Sequence, residues 1–514
     1  MEKGEAVSLI RNGEDMAMEV RNLKLVRYWG RKPPSMVSRY IEEFTNEGEL
    51  VLDPFGGSGN ILRTALALGR RAIYIDLNPF AKLIAESTIL GCSPEKLKEI
   101  IETIIQEKEL KIKTEEGKIT KISRRSLFSI KCPCGKSVEV NSITFTHIYT
   151  FKFEPNKVTS LQRKILNIIR KNNSITHEEL IKRLFDTPKN GATNALKNLI
   201  RNGAIAEKTL PIRVTYVKPC TCGRTELNNP ESLRWIIEEP VYPAYWYPRT
   251  KLRYSDGKAF LKKRDVERVY EFFDNRTLAF LSHLWHEIKQ LDTSLLVKRC
   301  LYLIFMATLA RSSKMNRESG GTWPINSYWV PRSYVIRNPF YVFLKSTKDL
   351  IREFSAHRYR SVSGSISEVI KGQADVAFLL GDAKNLPLPA NSIDYVITDP
   401  PHTDEVQFFE LSSFYTSWMR KRLDFENEFV VNPKQGKDLS KYLEMYAKFV
   451  LEVRRVLKPS KHFTVILHEE DKKVLEKCLE ITENTGFTFY KSDKVDSFYV
   501  FTFYNHGNNK SRPF

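Results

Sequence analysis

Two stretches near opposite ends of the 514-residue chain share one pattern, in which short apolar segments alternate with amphipathic ones. In the first, residues 32–105, the pattern predicts a helix at 36–44, a strand at 50–52, a helix at 61–68 and a strand at 72–75. A glycine-rich segment separates the first strand from the helix that follows it. This order of elements predicts one half of an α/β domain.

The second stretch continues the alternation from about residue 376 to 504. Its predicted strands lie at residues 376–380, 393–398, 463–467, 487–490 and 498–503. Helices at 443–457 and 472–485 alternate with them, which indicates a mainly parallel, doubly wound sheet. The last two strands, with 491–497 as a turn region, predict an antiparallel hairpin at the edge of that sheet.

A long insertion separates the two stretches, and we expect the chain to divide accordingly. The predicted parts are the two halves of the α/β domain at 1–106 and 372–504, a cysteine-containing insertion at 126–225, an aromatic-rich and partly helical region at 235–371, and a flexible tail at 505–514. Within the insertion, three short amphipathic helix patterns and a strand-like segment at 203–207 predict a winged-helix-like module at about 158–208.

The composition fits a soluble globular protein, with 42% hydrophobic and 28% charged residues. Lys and Arg number 81 against 61 Asp and Glu, a net charge of +20. The surplus favours a polyanionic partner, although a lysine-rich solvated surface explains it equally well. The longest mainly apolar run, residues 300–310, is too short to span a bilayer, and residues 1–22 show no signal core. We expect an intracellular, cytoplasmic protein without membrane association. The sequence leaves its oligomeric state open.

The clearest motif follows the first predicted strand and reads Asp53-Pro-Phe-Gly-Gly-Ser-Gly59. Glycines in such a turn let the backbone approach a ligand, and the next helix offers free N–H groups at its N-terminus. The motif is neither a dinucleotide fingerprint nor a P-loop. Asp76 ends the following strand, where a carboxylate can accept both hydroxyls of a ribose. Together the turn and Asp76 favour a nucleoside site.

A second motif, Asp399-Pro400-Pro401-His402, ends another apolar strand. A Pro-Pro pair can simply form a rigid turn. Here, however, Asp399 and the Pro400 carbonyl can both accept hydrogens from one exocyclic amine, since proline leaves an acceptor-only backbone. His402 could stack on the base that carries this amine.

At these residues the chain resembles a family, the S-adenosylmethionine-dependent amino methyltransferases that act on exocyclic nitrogens of DNA bases. Asp53–Gly59 looks like the cofactor loop of that family, and Asp399–His402 like its catalytic DPPY-type motif. Tyr28-Trp-Gly-Arg-Lys-Pro-Pro34 resembles the segment that covers the methionine end of the cofactor, and Gly381-Asp382-Ala383 the motif whose acid binds adenine. The chain looks closest to the adenine-specific DNA methylases that contain a zinc ribbon.

The resemblance implies a Rossmann-like methyltransferase sheet with a zinc ribbon and a winged-helix-like module in the insertion. It implies S-adenosylmethionine contacts by Lys32, Pro33, Asp53, Pro54, Phe55, Gly56, Gly57, Ser58, Gly59, Asp76, Asp382 and Ala383, and catalysis by Asp399, Pro400, Pro401 and His402. The implied reaction is direct methyl transfer, with base flipping, to adenine N6 in DNA. Cytosine N4 is close behind, because it offers a similar amine.

Two departures from the family pattern keep alternatives open. His402 stands where Tyr, Phe or Trp is usual in DNA enzymes, and it stacks over less area. The insertion falls between Asp76 and Asp382, so known target-recognition arrangements cannot be transferred. The alternative to a DNA enzyme is an RNA base-amine methyltransferase acting on guanine N2 or adenine N6, because such enzymes share a related acid-Pro-Pro-aromatic motif. A non-catalytic, cofactor-sensing DNA-binding protein is the weaker one.

Two matched cysteine pairs indicate a metal site. Cys132 and Cys134 form one pair, Cys220 and Cys222 the other, and a glycine follows each pair. Four thiolates suit a closed, tetrahedral structural Zn²⁺ better than a catalytic one, which needs an open position. Four buried free cysteines are the competing interpretation.

Two further regions carry candidate nucleic-acid contacts. In the winged-helix-like module, Lys189, Lys197 and Arg201 could meet phosphates, although a small packing domain fits the same pattern. Farther on, residues 272–277, 311–315 and 322–329 combine aromatic, basic and hydroxyl side chains that could hold a flipped base or its neighbours. Aromatic residues at this density are more often core residues.

Overall fold

The structure, a computed structural model, describes residues 25–507 apart from 27, 31, 107–108, 185–186, 229–240, 262–265, 319–327, 357–360 and 469–470. The strands are β1 (Leu50–Asp53), β2 (Arg71–Asp76), β3 (Glu109–Lys113), β4 (Ile119–Ser123), β5 (Ser129–Lys131), β6 (Ser137–Phe151), β7 (Ser174–Thr176), β8 (Ile205–Tyr216), β9 (Glu226–Leu227), β10 (Tyr242–Pro243), β11 (Ser333–Arg337), β12 (Val376–Leu380), β13 (Ile393–Thr398), β14 (Leu457–Leu467), β15 (Phe487–Val495) and β16 (Phe498–Asn505).

The helices are α1 (Pro34–Phe44), α2 (Asn60–Ala67), α3 (Pro79–Ile89), α4 (Pro94–Gln106), α5 (Arg124–Leu127), α6 (Ser160–Lys171), α7 (His177–Arg183), α8 (Lys189–Arg201), α9 (Asn275–Gln290), α10 (Leu295–Ser312), α11 (Pro339–Ala356), α12 (Ile366–Ile370), α13 (Phe408–Met419), α14 (Leu439–Val456) and α15 (Lys472–Asn484). Short 3₁₀ turns cover Val269–Phe272 and Pro433–Gln435. None of the described helices is both long and apolar enough to cross a membrane.

A seven-stranded sheet joins the two ends of the chain in the order β12-β2-β1-β13-β14-β16-β15. The first five strands are parallel, and β16 runs antiparallel to both of its neighbours. Strands β1 and β2 from the first stretch thus lie between β12 and β13 from the second. The expected doubly wound, Rossmann-like sheet and its edge hairpin are confirmed.

Layers of helices on both faces explain why the central strands are continuously apolar. Leu50 and Leu52 pack into one buried cluster with α14, whereas Val51, between them, packs into another with α1 and α2. All four residues of β1 and all six of β13 are buried. A parallel strand covered on both faces needs apolar side chains at most positions, and the buried Asp394 of β13 is paired with Lys458 Nζ at 2.6 Å.

One predicted turn is wrong. Residues 491–495, expected to form part of the turn before the last strand, continue β15. Lys491, Asp493 and Lys494 are polar because β15 is the edge strand, and their side chains face partly toward solvent. Strand β14 also begins six residues before its predicted start, at Leu457.

The insertion is organised around a long antiparallel ribbon of β6 and β8, which pair from Val140–Tyr216 to Phe151–Ile205. The cysteine pairs flank one end of this ribbon. At the other end, α6, α7 and α8 enclose a separate apolar core with Tyr149 of β6. Three helices therefore form where the amphipathic patterns predict them, and β7 and β8 pair with β6 beside them.

Several aromatic residues of the region 241–371 are buried, although Tyr242 and Trp246 are exposed. Phe272, Phe273 and Tyr328 belong to a large core with α9, α10 and α13. This core continues under the main sheet domain, where the ring of Phe80 on α3 stacks on Tyr415 of α13 at 3.9 Å. Residues 322–327 of the third aromatic motif lie outside the described part of the chain.

Candidate active site

The carboxyl ends of four neighbouring strands converge on one cavity of about 400 Å³. Asp53 ends β1, Asp76 ends β2, Gly381 follows β12, and Asp399 follows β13. These four strands are adjacent in the sheet. The motifs meet because the carboxyl ends of parallel strands share one edge, the usual ligand site of such a sheet.

The glycine turn after β1 is shaped by a tyrosine beneath it. A Cβ on Gly56 would lie 2.3 Å from the ring of Tyr74, so only glycine fits there. The Tyr74 hydroxyl donates to the Gly57 carbonyl at 2.8 Å, and Gly57 has a left-handed φ of +50°. The Gly57 N–H donates to Asp76 Oδ2 at 2.8 Å. Strand β2 thus sets the turn through both Tyr74 and Asp76.

Two acids at this edge, Asp53 and Asp76, have pKa values above those of ordinary surface carboxyls. Burial raises the pKa of Asp76 to about 6, although the Asn78 and Gly57 amides lower it. Burial raises the pKa of Asp53 further, to about 8. Asp53 Oδ1 accepts from the Thr398 hydroxyl at 2.6 Å, which ties the end of β1 to the end of β13.

A buried lysine pairs with the acid of the Asp399–His402 motif. Lys32, 3% exposed, places Nζ 2.6 Å from Asp399 Oδ2 and 4.3 Å from the centre of the Phe498 ring. Burial by itself would raise the pKa of Asp399, but Lys32 and His402 outweigh it and hold that pKa below its usual value. Asp399 is therefore a carboxylate at neutral pH.

The ring of His402 is oriented by two contacts. The backbone N–H of His468 donates to Nδ1 at 3.3 Å, and Nε2 lies 3.2 Å from Asp399 Oδ1. The His468 N–H makes Nδ1 an acceptor, and Nε2 faces the Lys32–Asp399 ion pair, 3.4 Å from Lys32 Nζ. Below the motif, the Tyr442 hydroxyl donates to the Pro401 carbonyl at 2.8 Å. The motif is thus held on both sides.

Most of the predicted site residues line this cavity. They are Lys32, Asp53, Pro54, Phe55, Gly56, Gly57, Ser58, Asp76, Ala383, Asp399, Pro400, Pro401 and His402. Pro33, Gly59 and Asp382 lie beside it. Gly59 instead packs on α3, where a Cβ would come 2.9 Å from Ala85 Cβ. The Asp382 carboxylate pairs with Lys384 Nζ at 2.9 Å.

The sequence did not reveal several lining residues, because they belong to no recognisable motif. Trp29 and Phe408 form an apolar wall with ring centres 6.3 Å apart, and Phe429 packs against Phe55 at 5.2 Å. Glu428 also lines the cavity, and burial raises its pKa to about 7. Of these residues, Trp29 lies in the Tyr28–Pro34 segment, whereas Phe408, Phe429 and Glu428 lie in no motif.

The four predicted metal ligands come together. The thiol sulfurs of Cys132, Cys134, Cys220 and Cys222 all lie within 4.8 Å of one another. Each pair forms the same turn: the Gly135 N–H donates to the Cys132 carbonyl and the Gly223 N–H to the Cys220 carbonyl, both at 2.8 Å. Gly135 and Gly223 have φ of +87° and +83°. Two matching knuckles with four thiols fit a tetrahedral Zn²⁺.

In the module at the far end of the ribbon, α8 carries Lys197 and Arg201 among the proposed phosphate contacts. The side chain of Lys189, the third proposed contact, lies outside the described set. Lys197 is exposed and Arg201 is exposed at the end of the helix.

The sheet order defines a Rossmann-like fold with a cavity at the carboxyl ends of its strands, and one segment of the chain is similar to a known family. Residues 14–87, which include the cofactor loop, match the profile of the N6/N4 methyltransferases, described as DNA methylase. The Type II methyltransferase M.MjaII of Methanocaldococcus jannaschii is 36% identical over 74 residues. Through this segment the chain is similar to the N6/N4 DNA methyltransferase family. The match covers 14% of each chain, so this chain spans a small part of that relative.

Solved methyltransferase structures resemble this chain only weakly. A SAM-dependent methyltransferase of Methanosarcina mazei is 10% identical, over 28% of this chain and 80% of its own, with a TM-score of 0.15. A TehB-like SAM-dependent methyltransferase of Corynebacterium glutamicum is 10% identical, over 27% and 62%, with a TM-score of 0.16. The antibiotic-resistance methyltransferase Kmr is 14% identical, over 26% and 63%, also at 0.16. The fold assignment therefore rests on the strand order described above.

Proposed function

We propose that this protein transfers a methyl group from S-adenosylmethionine to the exocyclic amine of a base in DNA, with adenine N6 as the acceptor. The observation that carries the proposal is the meeting of the Asp53–Gly59 turn, Asp76 and Asp399 in one cavity at the carboxyl edge of the sheet. The match of residues 14–87 to DNA methylases supports it. A flipped base would reach Asp399 through this cavity.

The cavity has the features that S-adenosylmethionine requires. The Gly56–Gly57 turn presents backbone without side chains, and the Asp76 carboxylate beside it can accept ribose hydroxyls. Phe55 and Phe429 offer an apolar wall for the adenine ring, and Trp29 lies in the segment expected near the methionine end. When bound, the cofactor supplies an electrophilic methyl group on a sulfonium.

Asp399 is built to accept hydrogens from an amine. The amine of adenine is a poor nucleophile because its lone pair is delocalised into the ring. Hydrogen bonds to the charged Asp399 and to the Pro400 carbonyl would localise that lone pair and stabilise the positive charge that develops on nitrogen. Lys32 keeps Asp399 ionised through Oδ2, and Oδ1, which has no hydrogen-bond partner among the described residues, is left to accept from the amine.

The remaining parts of the proposal concern substrate handling. We assign a structural Zn²⁺ to the four cysteines, which flank the base of the β6–β8 ribbon. The helical module at the tip of the ribbon would contact DNA as a winged helix, through Lys197 and Arg201. With a net charge of +20, the chain suits a polyanionic substrate. A DNA substrate also implies an intracellular location.

The test is transfer of labelled methyl to duplex DNA, single-stranded DNA and total RNA, followed by identification of the modified nucleoside by mass. We expect N6-methyladenine in DNA, and none with Asp399→Asn. If the product in DNA is N4-methylcytosine, only the proposed base is wrong. If label appears in RNA alone, the proposal of a DNA substrate is wrong. Cofactor binding without transfer to any of the three would favour a cofactor-sensing DNA-binding protein.

A further inference from the structure

A second cavity, of about 360 Å³, lies apart from the candidate active site, and none of the described residues lines both. Side chains of β6, β11 and the turn before β5 form its apolar wall, including Phe145, Tyr334 and Phe128. The ring of Tyr334 stacks on that of Phe145 with centres 5.3 Å apart and a tilt of 19°. Flat rings of this kind accommodate a flat, apolar ligand surface.

The opposite side of the cavity is polar and contains atoms that lack partners. Asp274 caps α9 by accepting from the Thr277 N–H at 3.0 Å through Oδ1. Its other oxygen, Oδ2, is buried and has no hydrogen-bond partner among the described residues. Thr277 is fully buried, and within the described chain its hydroxyl also has no partner. Because buried polar atoms without partners are costly, a ligand with N–H donors would be stabilised here.

The charges around these atoms favour an anion. Lys314, Arg276 and Arg337 line the cavity together with Asp274, a net charge of about +2 among the described lining residues. Lys314 Nζ donates to the Glu271 carbonyl at 3.1 Å, which holds it beside the cavity. Burial lowers the pKa of both Lys314 and Arg337, as expected for cations whose solvation is incomplete.

We propose that this cavity is a second binding site, for a nucleotide. The base would lie against the Phe145–Tyr334 wall, its amino group would donate to Asp274 Oδ2 and Thr277 Oγ1, and its phosphate would face Lys314. This ligand combines the three properties that the cavity selects, namely a flat ring, N–H donors and negative charge. A free nucleotide and an unpaired nucleotide of a DNA strand both present this chemistry.

Sequence and structure agree on this location independently. The motifs 272–277 and 311–315 supply Asp274, Thr277 and Lys314, although they are separated in the chain and no part of the active site uses them. Their aromatic members, Phe272 and Phe273, are core residues and leave the polar members at the cavity. The site is separate from methyl transfer and stands even if the proposed reaction is wrong.

The test uses the full chain with saturating S-adenosylhomocysteine, which occupies the cofactor part of the first cavity, and the Asp399→Asn control reports any nucleotide that binds in the rest of it. Calorimetric titration with deoxyadenosine monophosphate and with a short single-stranded oligonucleotide shows whether the ligand is a free nucleotide or an unpaired nucleotide of a DNA strand. Binding of the mononucleotide assigns the site to free nucleotides, and binding of the oligonucleotide alone assigns it to a strand. Either result supports the site, provided that Thr277→Val and Lys314→Met each weaken binding about tenfold, the effect of losing one strong hydrogen bond.

The matched control for charge is Lys345→Met, an exposed lysine on α11 outside the cavity, which should bind like the unmodified protein. Asp399→Asn should also leave this binding unchanged. Each variant is checked for folding by its melting temperature and its affinity for S-adenosylhomocysteine. Absence of binding, or equal binding by the Thr277 and Lys314 variants and the controls, would overturn the proposal.

Discussion

Lys32 and Asp399 form a buried ion pair, with Nζ and Oδ2 2.6 Å apart. One residue precedes the first helix of the sheet domain and the other follows β13, so the pair joins the two ends of the chain inside the candidate active site. The Nζ of Lys32 also lies 3.4 Å from His402 Nε2. In the proposed reaction, the charge of the acceptor Asp399 therefore depends on a residue outside the Asp399–His402 motif.

Replacing Lys32 should change the pH dependence of the reaction. In the unmodified protein Lys32 helps hold the pKa of Asp399 below its usual value, so Asp399 stays ionised down to low pH. Lys32→Met leaves the acid buried without this cation, which raises its pKa. We expect the acid limb of the single-turnover rate, measured at saturating cofactor, to move up by at least about one pH unit. Lys32→Arg retains the charge and serves as the control. An unchanged acid limb in Lys32→Met would show that the ion pair does not govern Asp399.

His402 should act by orienting Asp399. His402→Leu removes the ring nitrogen that lies 3.2 Å from Asp399 Oδ1, and we expect a roughly tenfold lower turnover, which corresponds to the loss of about 1.4 kcal/mol of polar interaction with the acid. His402→Gln keeps a donor and should recover part of this loss. Turnover numbers and cofactor affinity are compared for the three proteins. Equal losses in both variants would favour stacking of the ring on the base over orientation of the acid.

Cofactor affinity should depend on the ionisation of Asp76. Burial raises the pKa of this acid to about 6, and only the carboxylate accepts the ribose hydroxyls while it holds the Gly57 amide. Affinity for S-adenosylhomocysteine should therefore fall as pH decreases below about 6. Asp76→Asn should bind more weakly at pH 8 and lose this pH dependence, which calorimetry at several pH values would measure. If the affinity of both proteins changes with pH in the same way, Asp76 is not the group whose ionisation controls cofactor binding.

The cysteine cluster should hold about one zinc per chain. Cys220→Ser should lower the zinc content measured by mass spectrometry, whereas Cys478→Ser, in the sheet core, should not. Removing the zinc should destabilise the ribbon but leave the affinity for S-adenosylhomocysteine unchanged, since the cluster and the active-site cavity share no described residue. Full zinc content in Cys220→Ser would refute the four-thiolate site.

Much of the sheet could be predicted because its strands have strong local signals. Strands β12 and β13 begin and end where the apolar runs do, and a buried parallel strand needs such a run. The sequence pattern does not predict the ribbon strand β6, because its buried residues are not spaced in a regular alternation and three of them, Thr144–Thr146, are consecutive. The edge strand β15 was predicted too short for a similar reason: its second half is polar.

The residues of the candidate active site also fall into two groups, those that a local sequence signal marks and those that it does not. Asp53, Asp76 and Asp399 could be found from sequence because each stands directly after an apolar strand. The ion pair of Lys32 and the lining residues Phe408 and Glu428 could not be found from sequence, since their positions depend on how distant segments pack. No local sequence pattern indicates that Lys32 pairs with Asp399, which lies more than 360 residues later in the chain.

The most direct test of this account compares the unmodified protein with Asp399→Asn, an isosteric change that removes the charged acceptor. Single-turnover methyl transfer to DNA and affinity for S-adenosylhomocysteine are measured on both. We predict that the rate falls by about a thousandfold or more, as when a preorganised acceptor is lost, while affinity changes by less than about threefold. Methyl transfer by Asp399→Asn at a near-normal rate would contradict the central role of this acid.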